Sequence, residues 1–395
     1  DGWRSQEVFE ALDLCLACKG CKNECPVRVD MATYKAEFLA HYYEGRPRPR
    51  QAYALGLIMV WARIASKAPR LSNALAASRL GKLAAGIAPQ RTPPRFADEP
   101  FADWFGRRGG TLVKDGRRVI LWPDTFTNYF EPEIAKAAVE VLEAAGCAVE
   151  LPRGAVCCGR PLYDFGMLTR AKRQLEQIVE RLRPEIRAGV EIVGLEPSCV
   201  EVFRDELPNM LPDDEDAIRL SKQVFSFVEL LTDRLDWQPP TLDARAVVQG
   251  HCHHRATEKT MSHDRELFDR LGLDYEILDT GCCGMAGSFG YHAGEHYDVS
   301  VAVAEHSLLP KLAGTPESTL VVADGFSCRG QIDQLAGRDA LHVAQLVQRA
   351  LRESGRTGPE KTEAPPSGRL GKVAALTGAG AAFALAGALA ARRLR

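Results

Sequence analysis

Two glycine-flanked cysteine pairs constrain this chain more than any other feature: Val156-Cys157-Cys158-Gly159 and Gly281-Cys282-Cys283-Gly284. The second runs on into Met285-Ala286-Gly287-Ser288-Phe289-Gly290. Neighbouring thiols bridge each other only with strain, but both can reach one metal cluster from a turn. The glycines permit positive φ and let backbone N–H groups approach an anionic centre. The plain alternative is a buried thiol pair in a glycine-rich turn. The pairs lie 125 residues apart, and Cys328 follows Cys199 by 129. Each copy sits in the same surroundings. Strands over 119–122, 148–151 and 191–195 alternate with helices over 132–145 and 168–181 in the first. Strands over 246–248, 275–278 and 319–323 alternate with helices over 264–271 and 292–309 in the second. This alternation predicts two homologous α/β units with parallel sheets, and cysteines at the C-terminal ends of the strands, where open α/β sheets place their ligands.

Ahead of the repeats lies Cys15-Leu16-Ala17-Cys18-Lys19-Gly20-Cys21-Lys22-Asn23-Glu24-Cys25-Pro26. This is the C-x2-C-x2-C-x3-C-P run of bacterial ferredoxins, in which three thiolates wrap one cubane and the fourth can serve another. A four-cysteine zinc site would more usually pair two knuckles across a longer gap. Helices are expected on both sides. Val8, Leu12 and Cys15 share one face, and Asp30 caps a helix carrying Met31, Tyr34, Phe38 and Tyr42 that stops near Gly45. The apolar stretch 53–65 is too short to span a bilayer and should pack on the cluster domain. Residues 89–94 read as an exposed connector, and Phe101 to Phe105 as an aromatic anchor.

The ligand sets differ between the copies. In the second, Cys252, Cys282, Cys283 and Cys328 supply four thiolates. In the first, the counterpart of Cys252 is Thr125, leaving Cys157, Cys158 and Cys199 as weaker candidates. Cys147 is expected to be a core thiol. His251, His253 and His254 surround Cys252 and are expected to donate hydrogen bonds around the site or to balance its charge. Composition adds little: 395 residues leave room for two or three domains, and a net charge of −2 argues against a nucleic-acid partner. Twelve clustered cysteines, with no signal peptide opening the sequence, point to a reducing compartment and metal ligation. Starting at Asp1, the sequence is expected to be the C-terminal part of something longer, or a processed product. Residues 373–391 lack charge for nineteen positions and precede Arg392-Arg393-Leu394-Arg395. The length suits a membrane span, and Gly378, Ala382 and Ala386 form a small-residue face, although Ala and Gly dominate. A weak anchor and a disordered or surface-lying segment are the two readings.

These motifs resemble the cysteine-rich CCG domains of heterodisulfide reductase and of the iron–sulfur subunit of anaerobic glycerol-3-phosphate dehydrogenase. The usual Gly-Cys-x-x-Asn-Tyr of that group is matched by Asp124-Thr125-Phe126-Thr127-Asn128-Tyr129, with Thr for Cys. A closer similarity, over roughly 3–350, is to the C-terminal half of FAD-linked D-2-hydroxyacid dehydrogenases of the D-lactate and D-2-hydroxyglutarate kind. It rests on 12–19, 29–38 and His251-Cys252-His253-His254-Arg255-Ala256. The resemblance implies an α+β chain: a helical ferredoxin-type domain (1–90), a linker (91–117), and two Rossmann-like CCG repeats (118–240, with an incomplete ligand set, and 241–352). The resemblance leaves out the tail, where composition reads 353–372 as a second linker and 373–391 as a membrane-anchor helix. It implies one 4Fe-4S cluster on Cys15, Cys18, Cys21 and Cys25 and one on Cys252, Cys282, Cys283 and Cys328. FAD would reside on a preceding domain or on a separate flavin dehydrogenase partner. The expected role is electron transfer from reduced FAD to a quinone or other acceptor, in the cytoplasm and attached to the inner membrane by the tail. No substrate site is identified in this chain. The rival is a heterodisulfide-reductase-like catalytic centre acting on a disulfide; a zinc-stapled interaction protein is a third reading.

Overall fold

The structure is a computed structural model that describes residues 2–257 and 261–356. The expected linker 357–372 and anchor 373–391 fall outside the described residues. Among the described residues, no helix is long and apolar enough to cross a membrane.

Helices precede the sheets. Ser5 caps Gln6–Asp13 by accepting from the Val8 N–H, and Asp30 caps Met31–Tyr42 by accepting from the Thr33 N–H. The stretch 53–65 breaks into Arg50–Ala54 and Ile58–Ala65. Between them lies Gly56, where a Cβ would stand 2.4 Å from the Ala52 carbonyl oxygen. Two further short helices follow, Pro69–Ala77 and Arg79–Ala85.

The first sheet comprises β1 (Arg117–Trp122), β2 (Cys147–Glu150), β3 (Glu191–Gly194) and β4 (Val224–Ser226), all parallel in the order β2-β1-β3-β4. The second comprises β5 (Arg245–Val248), β6 (Asp274–Ile277), β7 (Leu320–Val322) and β8 (Ala340–Leu341), all parallel in the order β6-β5-β7-β8. The two orders are the same. The duplication read from cysteine spacing is therefore a duplication of topology. The apolar runs Val119-Ile120-Leu121-Trp122 and Ala246-Val247-Val248 form central strands, as expected for parallel sheets covered on both faces. The edge strands β4 and β8 carry too little apolar pattern to be read beforehand.

Residues Asp1–Pro359 form one compact unit. One core runs through both repeats, joining Val119, Leu121 and Leu142 to Val248, Phe268 and Leu346. The helix Val343–Glu353, which closes the second repeat, packs on Pro132–Ala144 of the first. Two findings differ from expectation in 89–117. Arg91 in the connector is buried, donating to the Gly290 carbonyl at 2.8 Å and to Ser300 Oγ at 3.0 Å. The segment 91–117 also holds the helix Phe101–Arg108, whose Phe101 is fully buried in the shared core. The helix expected over 292–309 starts only after Gly294, which sits at its N-terminus at φ +87°. It runs as Glu295–Val303, a wider π turn over Ala304–Leu308 and Leu309–Ala313.

Candidate metal centre

The cysteines lie where strands end. Cys252 opens the helix Cys252–Thr257 beyond β5, and Thr125 opens Thr125–Tyr129 beyond β1. The pairs follow β2 and β6, and Cys199 and Cys328 lie in the first turns of Pro197–Glu201 and Phe326–Ala336, beyond β3 and β7. Each set thus converges from three parallel strands. The glycines after the pairs take the same left-handed backbone, Gly159 at φ +88° and Gly284 at φ +90°. At Gly284 a Cβ would meet the Ser300 carbonyl oxygen at 2.3 Å, so the turn requires glycine.

In the second set Cys282 is hydrogen-bonded to Cys252 and Cys283, and Cys283 to Cys328. The Gly284 N–H donates to Cys282 Sγ at 3.4 Å, and the Met285 N–H donates to Cys283. Cys282 and Cys328 pull Cys283 well below the ordinary thiol range, while Cys18, then Cys252 and Cys283, hold Cys282 well above it, and Cys283 and burial do the same to Cys328. Sulfurs this close cannot all ionise unless a cation stands among them. That is the chemistry of a metal-binding thiolate set, and it fits an iron–sulfur cluster.

A fifth sulfur joins this group. Cys282 acts on Cys18, from the N-terminal run, and lowers it to about 6. The Gly20 N–H also donates to Cys18. The loop is held from several directions. Lys35 Nζ donates to the carbonyls of Asp13 and Cys15 at 2.9 and 2.7 Å, and the Met31 N–H reaches Cys21 Sγ at 3.5 Å. His253 Nε2 bonds the Ala17 carbonyl at 3.0 Å. Ala17 and Lys19 take left-handed backbone at φ +53° and +59°, on either side of Cys18.

Lys19 is buried, and its ammonium meets Asp205, Glu206 at 2.7 Å, Glu201 at 3.5 Å and Asp30 at 3.6 Å. Burial depresses Lys19, but Glu206 and Glu201 outweigh it and hold the amine above its usual range. Arg160, next to the first cysteine pair, shares Glu206 at 2.8 Å. Nothing in the sequence pattern marked this network, because its members are scattered from Lys19 to Glu206 with no common motif.

The first set is also gathered. Cys158 and Cys199 sulfurs lie 3.0 Å apart, and Cys157 is hydrogen-bonded to Cys158 and to Thr125. Thr125 Oγ1 also contacts Met59 Sδ at 3.7 Å. Cys199 is lowered by Cys158, yet burial and the neighbouring Asp124 and Glu196 carry it to about 12. Three sulfurs fit three corners of a cluster; the fourth position offers a hydroxyl. Cys147 lies apart in the shared apolar core, where burial pushes it up to about 11. The histidines face carboxylates and backbone: His251 Nε2 lies 3.8 Å from Glu196 Oε1, and His254 Nε2 lies 3.5 Å from Asp264 Oδ2. Burial lowers His251 to about 4, so it is neutral near pH 7 and adds no positive charge beside Cys283. Within the N-terminal run, only Cys18 shows a sulfur–sulfur contact among the described residues; Cys15, Cys21 and Cys25 sit partly exposed around it.

Residues 125–204 match the model of the cysteine-rich CCG domain. The match covers 80 of the 395 residues. Its span is the first repeat, from Thr125 to just past Cys199. The D-2-hydroxyglutarate dehydrogenase of Pseudomonas putida is 28% identical over 357 residues, covering 87% of this chain and 34% of that protein. One subunit of the anaerobic glycerol-3-phosphate dehydrogenase of Escherichia coli K12 is 28% identical over 274 residues, 66% of each chain. Lactate utilization protein A of Bacillus subtilis is 24% identical over 247 residues, 58% of this chain and 98% of that protein. The chain thus spans about a third of the length of the D-2-hydroxyglutarate dehydrogenases it matches.

Proposed function

We propose that this chain is the iron–sulfur electron-transfer region of a flavin-linked oxidoreductase of the 2-hydroxyacid dehydrogenase type. Electrons would come from reduced FAD on another domain or subunit, and a quinone or other carrier would accept them. The observation that carries the reading is the contact of Cys18 with Cys282, which sets the N-terminal run directly against the second CCG set. Cys252, Cys282, Cys283 and Cys328 would hold one 4Fe-4S cluster, and Cys15, Cys18, Cys21 and Cys25 another. Such clusters, when bound, accept and release single electrons. The chain's own residues supply the setting: Lys35 and Met31 fix the loop, His253 holds it to Cys252–Thr257, and N–H groups at Gly20, Gly284 and Met285 face the sulfurs. The similarity to proteins named as dehydrogenases supports an oxidoreductase role. An inner-membrane location on the cytoplasmic side belongs to the same proposal, with 373–391 as the tether.

Iron stoichiometry tests it. Two clusters give about eight irons per chain, and Cys282→Ser should remove about four. Cys157→Ser should remove none, because Thr125 leaves the first set one thiolate short. Colourless protein lacking iron after anaerobic preparation would refute the proposal. Loss of iron from Cys157→Ser would instead favour a three-cysteine cluster with an open corner. The gathered first set makes that outcome worth measuring, because it would support disulfide-directed catalysis.

A further inference from the structure

Between residues 45 and 97 the chain has no Asp or Glu at all. In an overall nearly neutral protein this stretch is strongly basic, and the last three of its four short helices are apolar on the outside. Ile58–Ala65 buries Ala62 and Ala65 and exposes Val60 and Ile64, spaced i, i+4. Pro69–Ala77 has no buried residue and exposes Leu71 and Leu75, again i, i+4. Arg79–Ala85 also buries none, and shows Leu80 at 78% and Leu83 at 60% exposure, i, i+3. These six are more than half of the exposed large hydrophobics among the described residues. Arg63, Lys67, Arg70, Arg79 and Lys82 are interleaved with them, and none has a carboxylate partner among the described residues.

The helices are not loose. The Asn73 amide donates to the Phe96 carbonyl at 2.9 Å and accepts from the Phe96 N–H at 2.7 Å, and Ser72 Oγ donates to the Ala65 carbonyl. Their outward faces are therefore held in place while presenting leucines to solvent, an arrangement that loses free energy unless something covers it. Aliphatic side chains flanked by Arg and Lys that lack carboxylate partners match a surface with an apolar interior and anionic headgroups. Single-stranded nucleic acids are gripped by stacking on aromatic faces, which these six residues lack.

We propose that residues 58–83 form a docking surface for an anionic lipid bilayer, separate from any tether at 373–391. The helices lie in the interface with Val60, Ile64, Leu71, Leu75, Leu80 and Leu83 among the acyl chains and the basic residues at the headgroups. The placement relates to the cysteines. Met59, on the same helix as Val60 and Ile64, contacts Thr125, which is hydrogen-bonded to Cys157. Docking would hold the first cysteine set about one helix diameter, about 10 Å, from the lipid.

The test is co-sedimentation of the full-length protein with vesicles of phosphatidylcholine containing phosphatidylglycerol, against phosphatidylcholine alone. The expected result is binding to the anionic vesicles that weakens with salt. Arg63→Gln/Arg70→Gln/Arg79→Gln should bind about a hundredfold more weakly, three contacts at about fivefold each. Leu71→Ser/Leu75→Ser should weaken the part of the binding that survives high salt. The proposal is overturned if the parent protein ignores anionic vesicles, or if the arginine variant binds as the parent does. It is also overturned if only charge matters and the leucine variant is unchanged. All five positions are exposed, so iron content should stay at the parent value in both variants. That readout separates failure of this surface from failure of the electron-transfer reading.

Discussion

Lys19 holds the N-terminal loop against the first CCG repeat, and its removal has a calculable cost. The ammonium is 1% exposed and stands among Asp30, Glu201, Asp205 and Glu206, of which Glu201 and Glu206 are themselves buried. Lys19→Met keeps most of the aliphatic stem and removes the charge. Arg160 would still face Glu206 at 2.8 Å and Lys22 would still reach Asp205 at 2.5 Å, but Glu201 would lose the ammonium 3.5 Å from it. Breaking a buried pair by deleting one partner costs about 3–5 kcal/mol. With about 2.1 cal/mol/K of unfolding entropy per residue over the roughly 350 described residues, the entropy at the midpoint is ~0.7 kcal/mol/K. The expected fall in Tm is therefore about 4–7 °C, read by anaerobic thermal denaturation followed by circular dichroism. Because Lys19 adjoins Cys18, iron should also leave the variant faster under a chelator. A Tm within about 1 °C of the parent, with unchanged iron release, would refute the view that this network holds the loop.

Gly284→Ala should destroy the second cysteine turn, and with it the iron proposed there, since its Cβ would meet the Ser300 carbonyl oxygen at 2.3 Å. Gly281→Ala, with open space around it and φ +74°, should cost only about 1–2 kcal/mol and keep its iron; equal damage from both would argue that the turn is not the determinant. Cys147→Ala should lower stability by about 1–2 kcal/mol through lost core packing and leave the iron count unchanged, which iron analysis beside a melting curve checks. Glu140→Ala removes an exposed contact to Arg352 and a partly buried one to Gln348 across the two repeats and should change stability by about 1 kcal/mol or less, as denaturant titration would show.

The parts of this molecule written in local pattern were legible in its sequence. Apolar runs of three or four residues between helical stretches gave the central strands β1, β3, β5 and β7, and the paired cysteines gave the repeat. Asp30 capped its helix where an Asp ahead of an apolar periodicity should. What escaped was nonlocal. Arg91 sits in a Pro-rich segment, and only the fold shows that its guanidinium plugs the Gly290–Ser300 region. Phe101 was visible as an anchor but its partner was not, because the shared core is assembled from both repeats. The approach of Cys18 to Cys282 joins positions 264 apart, and no spacing rule spans that distance.

The same nonlocality explains why a repeat with only three cysteines can still matter to the site. Thr125 occupies the place of Cys252 without leaving an unsatisfied group, since its hydroxyl meets both Cys157 and Met59. The first repeat then contributes through its other residues. Glu201, Asp205 and Glu206 follow Cys199 in the chain and reach Lys19, while Glu196 accepts from the Phe326 N–H at 2.9 Å, two residues before Cys328. Phe126 stacks on Phe326 with centroids 4.3 Å apart. One repeat therefore braces both the loop that brings Cys18 and the turn that brings Cys328 to the other. A cluster on the second set would be positioned by residues of the first, whether or not the first holds iron of its own. This brace can be separated from ligation by experiment: Glu196→Gln keeps all the sulfurs but weakens the bond to the Phe326 N–H, so it should leave iron stoichiometry intact and hasten iron release under a chelator. Unchanged release kinetics would show that the second repeat positions its cysteines without help.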